Sequence, residues 1–164
     1  MDKPMFTEVI QIAFVVENLE KAVRIYADKY GIRPWKIYTI NSKTVKNLVK
    51  YDNKTDFSYK VAMSYIGSIE WELVEPLDER SMYSDFVKNH GYGFHHIAFG
   101  VKNFDKALLD LKGEGGEVLQ SGDWQGTKFV HISTEDDLGF VVELFKFPKN
   151  HESPEPEKIY PKKG

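Results

Sequence analysis

The stretch YGFHHIAFGV, residues 92–101, repeats a motif that occurs near the start of the chain as VIQIAFVV, residues 9–16. Aligning QIAFVVENLEKAVRIY from Gln11 with HIAFGVKNFDKALLDL from His96 places equivalent residues 85 positions apart. Self-similarity at a fixed spacing indicates that one structural unit occurs twice. We therefore expect two tandem copies of one module in this chain of 164 residues.

Each copy has the pattern of a strand followed by a helix. A short apolar run ends at an asparagine, Asn18 or Asn103, a residue type that is favoured at helix N-caps. Apolar residues then recur at spacings of three and four, which predicts a helix that buries one face. Glycines follow at Gly31 and at 113–116, and glycine is common where helices end.

Three runs rich in aromatic and β-branched residues follow each predicted helix and are typical of strands. They are 35–40, 58–66 and 69–75 in the first copy, and 117–121, 127–134 and 140–147 in the second. Each copy is therefore predicted to be a β-α-β-β-β module. The predicted fold class is α+β, with the two modules forming curved mixed sheets around a shared cleft.

This pattern predicts one domain with a short extension. The linker between the modules is expected to hold a short helix after Ser81. The extension is rich in proline and charge, so we expect an extended or mobile tail. The predicted boundaries are 1–148 for the domain, about 7–76 for module 1, 77–93 for the linker, about 94–148 for module 2 and 149–164 for the tail.

The composition excludes several classes of function. The formal net charge of −3 gives no basic surface of the kind that binds nucleic acid. The sequence has no apolar run of about 18 residues that would cross a membrane, and its first residues lack the apolar core of a signal peptide. With no cysteine, it has neither disulfides nor thiolate ligands. We expect a cytoplasmic protein that binds a small molecule.

Side chains alternate between the two faces of a strand, and this places polar residues of both copies on corresponding surfaces. Gln11 shares its face with Ala13, and His96 shares its face with Ala98. The opposite face of each strand is bulky and suits packing beneath a helix. Because the small residues leave space beside Gln11 and His96, a ligand is the natural candidate to fill it.

The last strand of each module adds a carboxylate within an apolar run, Glu72 in IEWELVEP and Glu143 in VVELFKFP. Burying an unpaired carboxylate costs several kcal/mol, and the sequence places no Lys or Arg at an evident opposing position. A divalent cation would neutralise both charges. With Gln11 and His96 they offer three oxygens and one nitrogen, a set that accepts Zn²⁺, Ni²⁺, Co²⁺ or Mn²⁺.

Taken singly, each of these residues also suits a structural role. A lone Gln or His in a strand is often a hydrogen-bonded core residue. Glu72 lies on the same strand face as Glu70, so Glu72 also suits a solvent-facing position. It is the repetition in two related pairs that favours a metal site. The remaining histidines are assigned structural roles, with His95 on the face opposite His96. They are His90, His95, His131 and His151.

The duplicated strand-helix pattern, the HHIAFGV stretch and the paired Glu-Leu strands resemble the vicinal oxygen chelate superfamily. That superfamily includes glyoxalase I, methylmalonyl-CoA epimerase, extradiol dioxygenases and bleomycin-resistance proteins. The resemblance covers roughly residues 8–148, and IEWELVEPLDERSMYSDFVKNHGYGFHHIAF is most similar to the epimerases. It implies paired modules, frequent dimerisation and a metal bound at four positions. Those positions are Gln11, Glu72, His96 and Glu143.

The resemblance implies a divalent-metal-dependent lyase or isomerase, of glyoxalase I or methylmalonyl-CoA epimerase type, that moves a proton next to a carbonyl. Glu143 is the first candidate for the proton-transfer residue and Glu72 the second. Val15 and Tyr92 stand where glutathione-using glyoxalases tend to carry arginine. The alternatives are a non-catalytic drug- or metabolite-binding protein of the bleomycin-resistance type and, less favoured, an Fe(II) extradiol-type dioxygenase. A homodimer is expected.

Overall fold

The computed structural model describes residues 4–162, and within them eleven strands form one sheet. The strands are β1 Phe6–Val15, β2 Trp35–Ile40, β3 Lys46–Lys50, β4 Asn53–Lys54, β5 Tyr59–Ile66, β6 Ile69–Pro76, β7 Gly93–Val101, β8 Val118–Trp124, β9 Thr127–Ile132, β10 Val141–Lys146 and β11 Lys158–Tyr160. The helices are α1 Leu19–Arg24, α2 Met82–His90, α3 Phe104–Gly113 and α4 Glu135–Leu138, and α1 continues as a π-helical turn, Ile25–Lys29.

The duplication is confirmed at the level of single hydrogen bonds. Asn18 caps α1 by accepting from the backbone N–H of Lys21 at 2.9 Å, and Asn103 caps α3 by accepting from Lys106 at 2.9 Å. The two cap residues have nearly the same backbone conformation, with φ of −137° and −138°. The helix predicted after Ser81 is also present as α2, with the Ser81 hydroxyl as its N-cap.

The two modules meet through their first strands. β1 and β7 pair antiparallel, β6 lies parallel beside β1, and β10 lies parallel beside β7. The halves therefore form one continuous sheet rather than two separate ones, in the order β11-β2-β5-β6-β1-β7-β10-β9-β8-β3-β4. This arrangement gives the mixed α+β architecture that the sequence predicts, and it places the repeated motifs at the centre of the sheet.

The sheet is strongly curved, so that strands far apart in its order face each other. The ring centroids of Tyr38 on β2 and Trp124 on β8 are 5.0 Å apart. The Gln120 side-chain amide on β8 donates to the Tyr59 hydroxyl on β5 at 3.2 Å. These contacts join the first half of the sheet to the second across its concave face, and they define the sides of a cleft.

Helices α1 and α3 cover the convex face of the two halves. Leu19 and Val23 of α1 pack on Leu73, while Leu111 of α3 packs on Leu144. Apolar burial of this kind stabilises a domain by about 25 cal/mol per Å² of surface removed from water. The concave face holds a separate apolar cluster, which includes Tyr59, Tyr83 and Phe129.

Residues 45–54 contain a hairpin that the sequence analysis did not predict. Strands β3 and β4 pair through a two-residue turn in which Tyr51 and Asp52 have φ of 47° and 63°. Positive φ at both turn residues suits a hairpin connection, but the usual signal is Asn-Gly or Asp-Gly. On its other edge β3 pairs with β8, a strand of the second module.

The C-terminal segment, for which the sequence allowed an extended or a mobile tail, is anchored to the domain. The segment makes two contacts with the sheet after it leaves β10. His151 Nδ1 lies 3.2 Å from the Thr127 hydroxyl, and the Pro154 carbonyl accepts a hydrogen bond from the Tyr38 hydroxyl at 3.1 Å. β11 then pairs antiparallel with β2. Because Thr127 and Tyr38 belong to opposite halves of the sheet, the segment bridges the cleft. The division at residue 148 stays a prediction.

We expect Tyr160→Ala to release this segment. The Tyr160 hydroxyl donates to the Asp28 carboxylate at 3.0 Å, and its ring packs with the apolar cluster under α1. Hydrogen exchange of the Lys158–Tyr160 amides should accelerate by about tenfold, since a half-buried aromatic side chain contributes on the order of 1 kcal/mol. Tyr30→Ala is the matched control, because Tyr30 is 71% exposed. Unchanged protection in Tyr160→Ala would contradict this anchoring role.

Candidate metal centre

The Nε2 atom of His96 lies close to three oxygen-bearing side chains from other strands. It is 3.2 Å from Gln11 Oε1, 3.8 Å from Glu72 Oε2 and 2.9 Å from Glu143 Oε2. All four residues are buried, with at most 5% of their surface exposed. The structure thus brings together the four residues that the sequence analysis selected as metal ligands.

Strand register explains why these side chains meet. Ala13 on β1 pairs with Glu72 on one side and with His96 on the other. Ala98 on β7 pairs with Gln11 on one side and with Glu143 on the other. Both alanines are fully buried. Because an alanine separates the members of each pair, the longer polar side chains have room to converge above the methyl groups.

One register shift changes the position of His95. Ala13 pairs with His96, but the next residue of β1, Phe14, pairs with Phe94, so His95 is an extra residue in the ladder. The prediction that simple alternation directs His95 away from His96 is wrong, because such a bulge interrupts the alternation. The His95 ring is buried, and its Nδ1 lies 2.9 Å from His96 Nδ1.

His131 joins the same cluster, although the sequence analysis assigned it a structural role. Its Nε2 lies 3.2 Å from Glu143 Oε1, and it is the antiparallel partner of Glu143 in the pairing of β9 with β10. One donor atom from each of His96, His131 and Glu143 falls within 4.8 Å of the others. Only the pairing of the last two strands, which no local pattern encodes, places His131 opposite Glu143.

The two carboxylates have opposite pKa shifts. Burial favours the neutral form of Glu143, but the nearby His131 and His96 outweigh it and lower the pKa of Glu143 to about 2. For Glu72, no such effect outweighs burial. Burial, followed by the charges of Glu143 and Glu70, raises the pKa of Glu72 well above the ordinary value. Burial also lowers the pKa of His96, against the opposing effect of Glu143.

The donor atoms fit a cation better than they fit one another. Among residues 4–162, the ion pairs of Glu72 and Glu143 involve only histidines. Glu143 Oε2 lies 2.9 Å from His96 Nε2, and His131 Nε2 lies 3.2 Å from Glu143 Oε1. Both buried atoms lack a hydrogen-bond partner of good geometry among residues 4–162. Unpaired polar atoms at such a site are costly. Since a divalent ion accepts imidazole nitrogen, carboxylate oxygen and amide oxygen, this cluster is a candidate metal centre.

We expect Glu72→Gln to stabilise the metal-free protein at neutral and higher pH. Folding raises the pKa of Glu72, so the folded state keeps a proton on this carboxyl at pH values where the unfolded chain has released it. The free energy of unfolding therefore decreases as pH rises above about 4.5. Because glutamine does not titrate, Glu72→Gln removes this pH-dependent loss of stability. In EDTA, calorimetry should show a Tm about 3 °C or more above wild type at pH 8, with the difference shrinking towards pH 5.

Glu79→Gln, at an exposed position, is the control for this comparison and should leave Tm unchanged at both pH values. If the difference between Glu72→Gln and wild type were the same at pH 5 and pH 8, the buried Glu72 would not have the raised pKa described above.

Sequence comparison supports the architecture described above. The model of the Glyoxalase/Bleomycin resistance protein/Dioxygenase superfamily matches residues 10–133. An uncharacterized protein of Bacillus subtilis, YqjC, is 33% identical over 100 residues, which are 59% of this chain and 71% of that protein. The human mitochondrial methylmalonyl-CoA epimerase is 27% identical over 138 residues, which are 81% of this chain and 70% of that enzyme.

Solved structures share the same fold. A variant of Streptomyces coelicolor methylmalonyl-CoA epimerase, in complex with 2-nitronate-propionyl-CoA, superposes with a TM-score of 0.65 at 25% identity. The match covers 91% of this chain and 99% of that one. No helix within residues 4–162 is long and apolar enough to cross a membrane. Together, the matched sequence model and the shared fold show that this chain belongs to the glyoxalase/bleomycin resistance protein/dioxygenase superfamily.

Proposed function

We propose that this protein is a divalent-metal-dependent isomerase that moves the α-proton of an acyl-CoA thioester. The observation that carries the proposal is the convergence of oxygen and nitrogen donors from both modules on one buried point beside His96 Nε2. The relationship to methylmalonyl-CoA epimerases supports the reaction class.

Gln11, Glu72, His96 and Glu143 are the residues that we propose hold the metal. Two carboxylates balance the charge of a divalent ion, and the amide and imidazole add neutral donors. The ions that suit this set are Zn²⁺, Ni²⁺, Co²⁺ and Mn²⁺. Bound there, the ion would act as a Lewis acid towards the substrate carbonyl oxygen.

Glu143 is the proposed proton-transfer residue. Because the two imidazoles hold its pKa low, its carboxylate is ionised at neutral pH, and it becomes a stronger base only if it moves away from them. Glu72, whose pKa is raised, is the second candidate and comes from the other module. A carboxylate that holds a cation tightly is a poor base, so the proposal requires one of the two to loosen when substrate binds.

The substrate class follows from the relatives and from two positions in the chain. The human relative is a methylmalonyl-CoA epimerase, and the Streptomyces structure contains a propionyl-CoA derivative. Val15 and Tyr92 occupy the positions where glutathione-using glyoxalases tend to carry arginine, and neither side chain has the positive charge that pairs with the carboxylates of glutathione. These residues favour an acyl-CoA thioester over a glutathione hemithioacetal.

Access to the centre requires movement of the elements that cover it. The ring of Tyr83 on α2 is 6.3 Å from the His96 ring and 6.2 Å from the His131 ring, and Tyr83 is 1% exposed. Because the four proposed ligand residues are at most 5% exposed, a substrate cannot reach a metal held among them in this closed arrangement. Opening must therefore precede the reaction, as it does in many enzymes whose active sites exclude water.

We expect the metal-loaded protein to exchange the α-proton of methylmalonyl-CoA with deuterium from D₂O. Glu143→Gln keeps the side-chain shape but removes the base, so the exchange rate should fall by about 100-fold or more. Proton NMR of the substrate measures this rate directly, with the apoprotein reloaded separately with Zn²⁺, Ni²⁺, Co²⁺ and Mn²⁺.

Glu79→Gln is the control and should exchange at the wild-type rate, because its side chain is exposed. Full exchange by Glu143→Gln would refute its proposed role. Binding of acyl-CoA without exchange under any metal would favour a binding protein, and oxygen uptake with catechols would favour a dioxygenase. The predicted homodimer is tested separately, by light scattering of the purified protein.

A further inference from the structure

We propose that Glu70 is a positioning residue that fixes the side-chain amide of Gln11 with its oxygen directed towards His96. The inference rests on the proposed function, because it concerns one donor of the proposed metal centre. Glu70 lies outside the four residues selected from sequence, where it served only as a reason why Glu72 could face solvent.

The geometry places the Gln11 amide between two side chains. Its Nε2 donates to Glu70 Oε1 at 2.7 Å, and its Oε1 lies 3.2 Å from His96 Nε2. Glu70 is the partner of Gln11 in the parallel pairing of β1 with β6. Gln11 therefore stands between Glu70 and His96, so Glu70 contacts the amide rather than His96.

The chemistry of a carboxylate sets the orientation of the amide. An ionised carboxylate only accepts hydrogen bonds, while a primary amide has a donor end and an acceptor end of nearly equal shape. Turning the amide over would bring its oxygen against the Glu70 carboxylate and its N–H groups towards His96. The contact with Glu70 thus selects the orientation in which the oxygen, the end that can bind a metal, faces the centre.

A neutral oxygen donor suits the charges at this site. Glu72 and Glu143 already supply two negative charges for a divalent ion, and Glu70 adds a third carboxylate two residues from Glu72. Contact with the Gln11 amide satisfies one oxygen of Glu70 by a hydrogen bond. Residues that orient metal ligands commonly change metal affinity by 10–100-fold when they are replaced.

A double-mutant cycle on Zn²⁺ affinity tests whether Glu70 acts through Gln11. Affinity is measured by competition with a chromophoric chelator for wild type, Glu70→Gln, Gln11→Ala and the double variant. Glu70→Gln can donate as well as accept and no longer dictates the amide orientation, so we expect affinity to fall by about tenfold. In the Gln11→Ala background the same substitution should change affinity by less than about twofold.

A second readout does not depend on metal. In the apoprotein, one Gln11 side-chain amide proton should be shifted downfield and exchange slowly with water, and Glu70→Gln should abolish both properties. Heteronuclear NMR of protein labelled with ¹⁵N measures them on the full chain. Glu79→Gln is the control for both experiments and should resemble wild type, because its side chain is exposed.

The outcomes separate this inference from the proposed function. If wild type binds Zn²⁺ but Glu70→Gln has no effect, or has the same effect with and without Gln11, Glu70 does not position the amide. If wild type binds none of Zn²⁺, Ni²⁺, Co²⁺ and Mn²⁺, the proposed function fails. The orientation of Gln11 in the apoprotein is then decided by the NMR measurement, in which an unperturbed amide would overturn the inference.

Discussion

Two buried carboxylates, Glu72 and Glu143, meet beside buried imidazoles at the centre of the sheet, and their ion pairs within residues 4–162 include neither lysine nor arginine. Removing a carboxylate from water without a partner costs several kcal/mol. The imidazoles compensate for Glu143 and lower its pKa, whereas the pKa of Glu72 rises because of burial and two like charges. A cation shared by both carboxylates would resolve this imbalance, and the proposed chemistry depends on it.

The duplicated architecture supplies the geometry that this constraint requires. Each module contributes one polar residue from its first strand and one carboxylate from its last strand, and antiparallel pairing of the first strands brings the two sets together. Ala13 and Ala98 lie between these polar residues in the sheet. Their small side chains leave room for the polar side chains to converge. The larger residues of the same strands, such as Phe14 and Phe99, pack in the apolar clusters under the helices. One repeated alternation therefore builds both the core and the centre.

Sequence reasoning succeeded where local patterns carry the information. The repeat offset, the two Asn caps and the strand alternation predicted the modules and brought Gln11 and His96 to one surface. It failed where the structure depends on long-range register: the bulge that turns His95 beside His96, the pairing that places His131 opposite Glu143, and the β3–β4 hairpin whose turn lacks glycine. The contact of Gln11 with Glu70 likewise exists only because β1 and β6 pair in one particular register.

The most direct test is the anomalous scattering of crystals grown with Zn²⁺, recorded on both sides of the zinc absorption edge. We predict one strong peak bonded to His96 Nε2, with Gln11, Glu72 and Glu143 completing the ligand set. A peak held by His96, His131 and Glu143 without Gln11 and Glu72 would contradict that set. If protein saturated with Zn²⁺ showed no peak at His96, the central claim of a shared metal would be wrong.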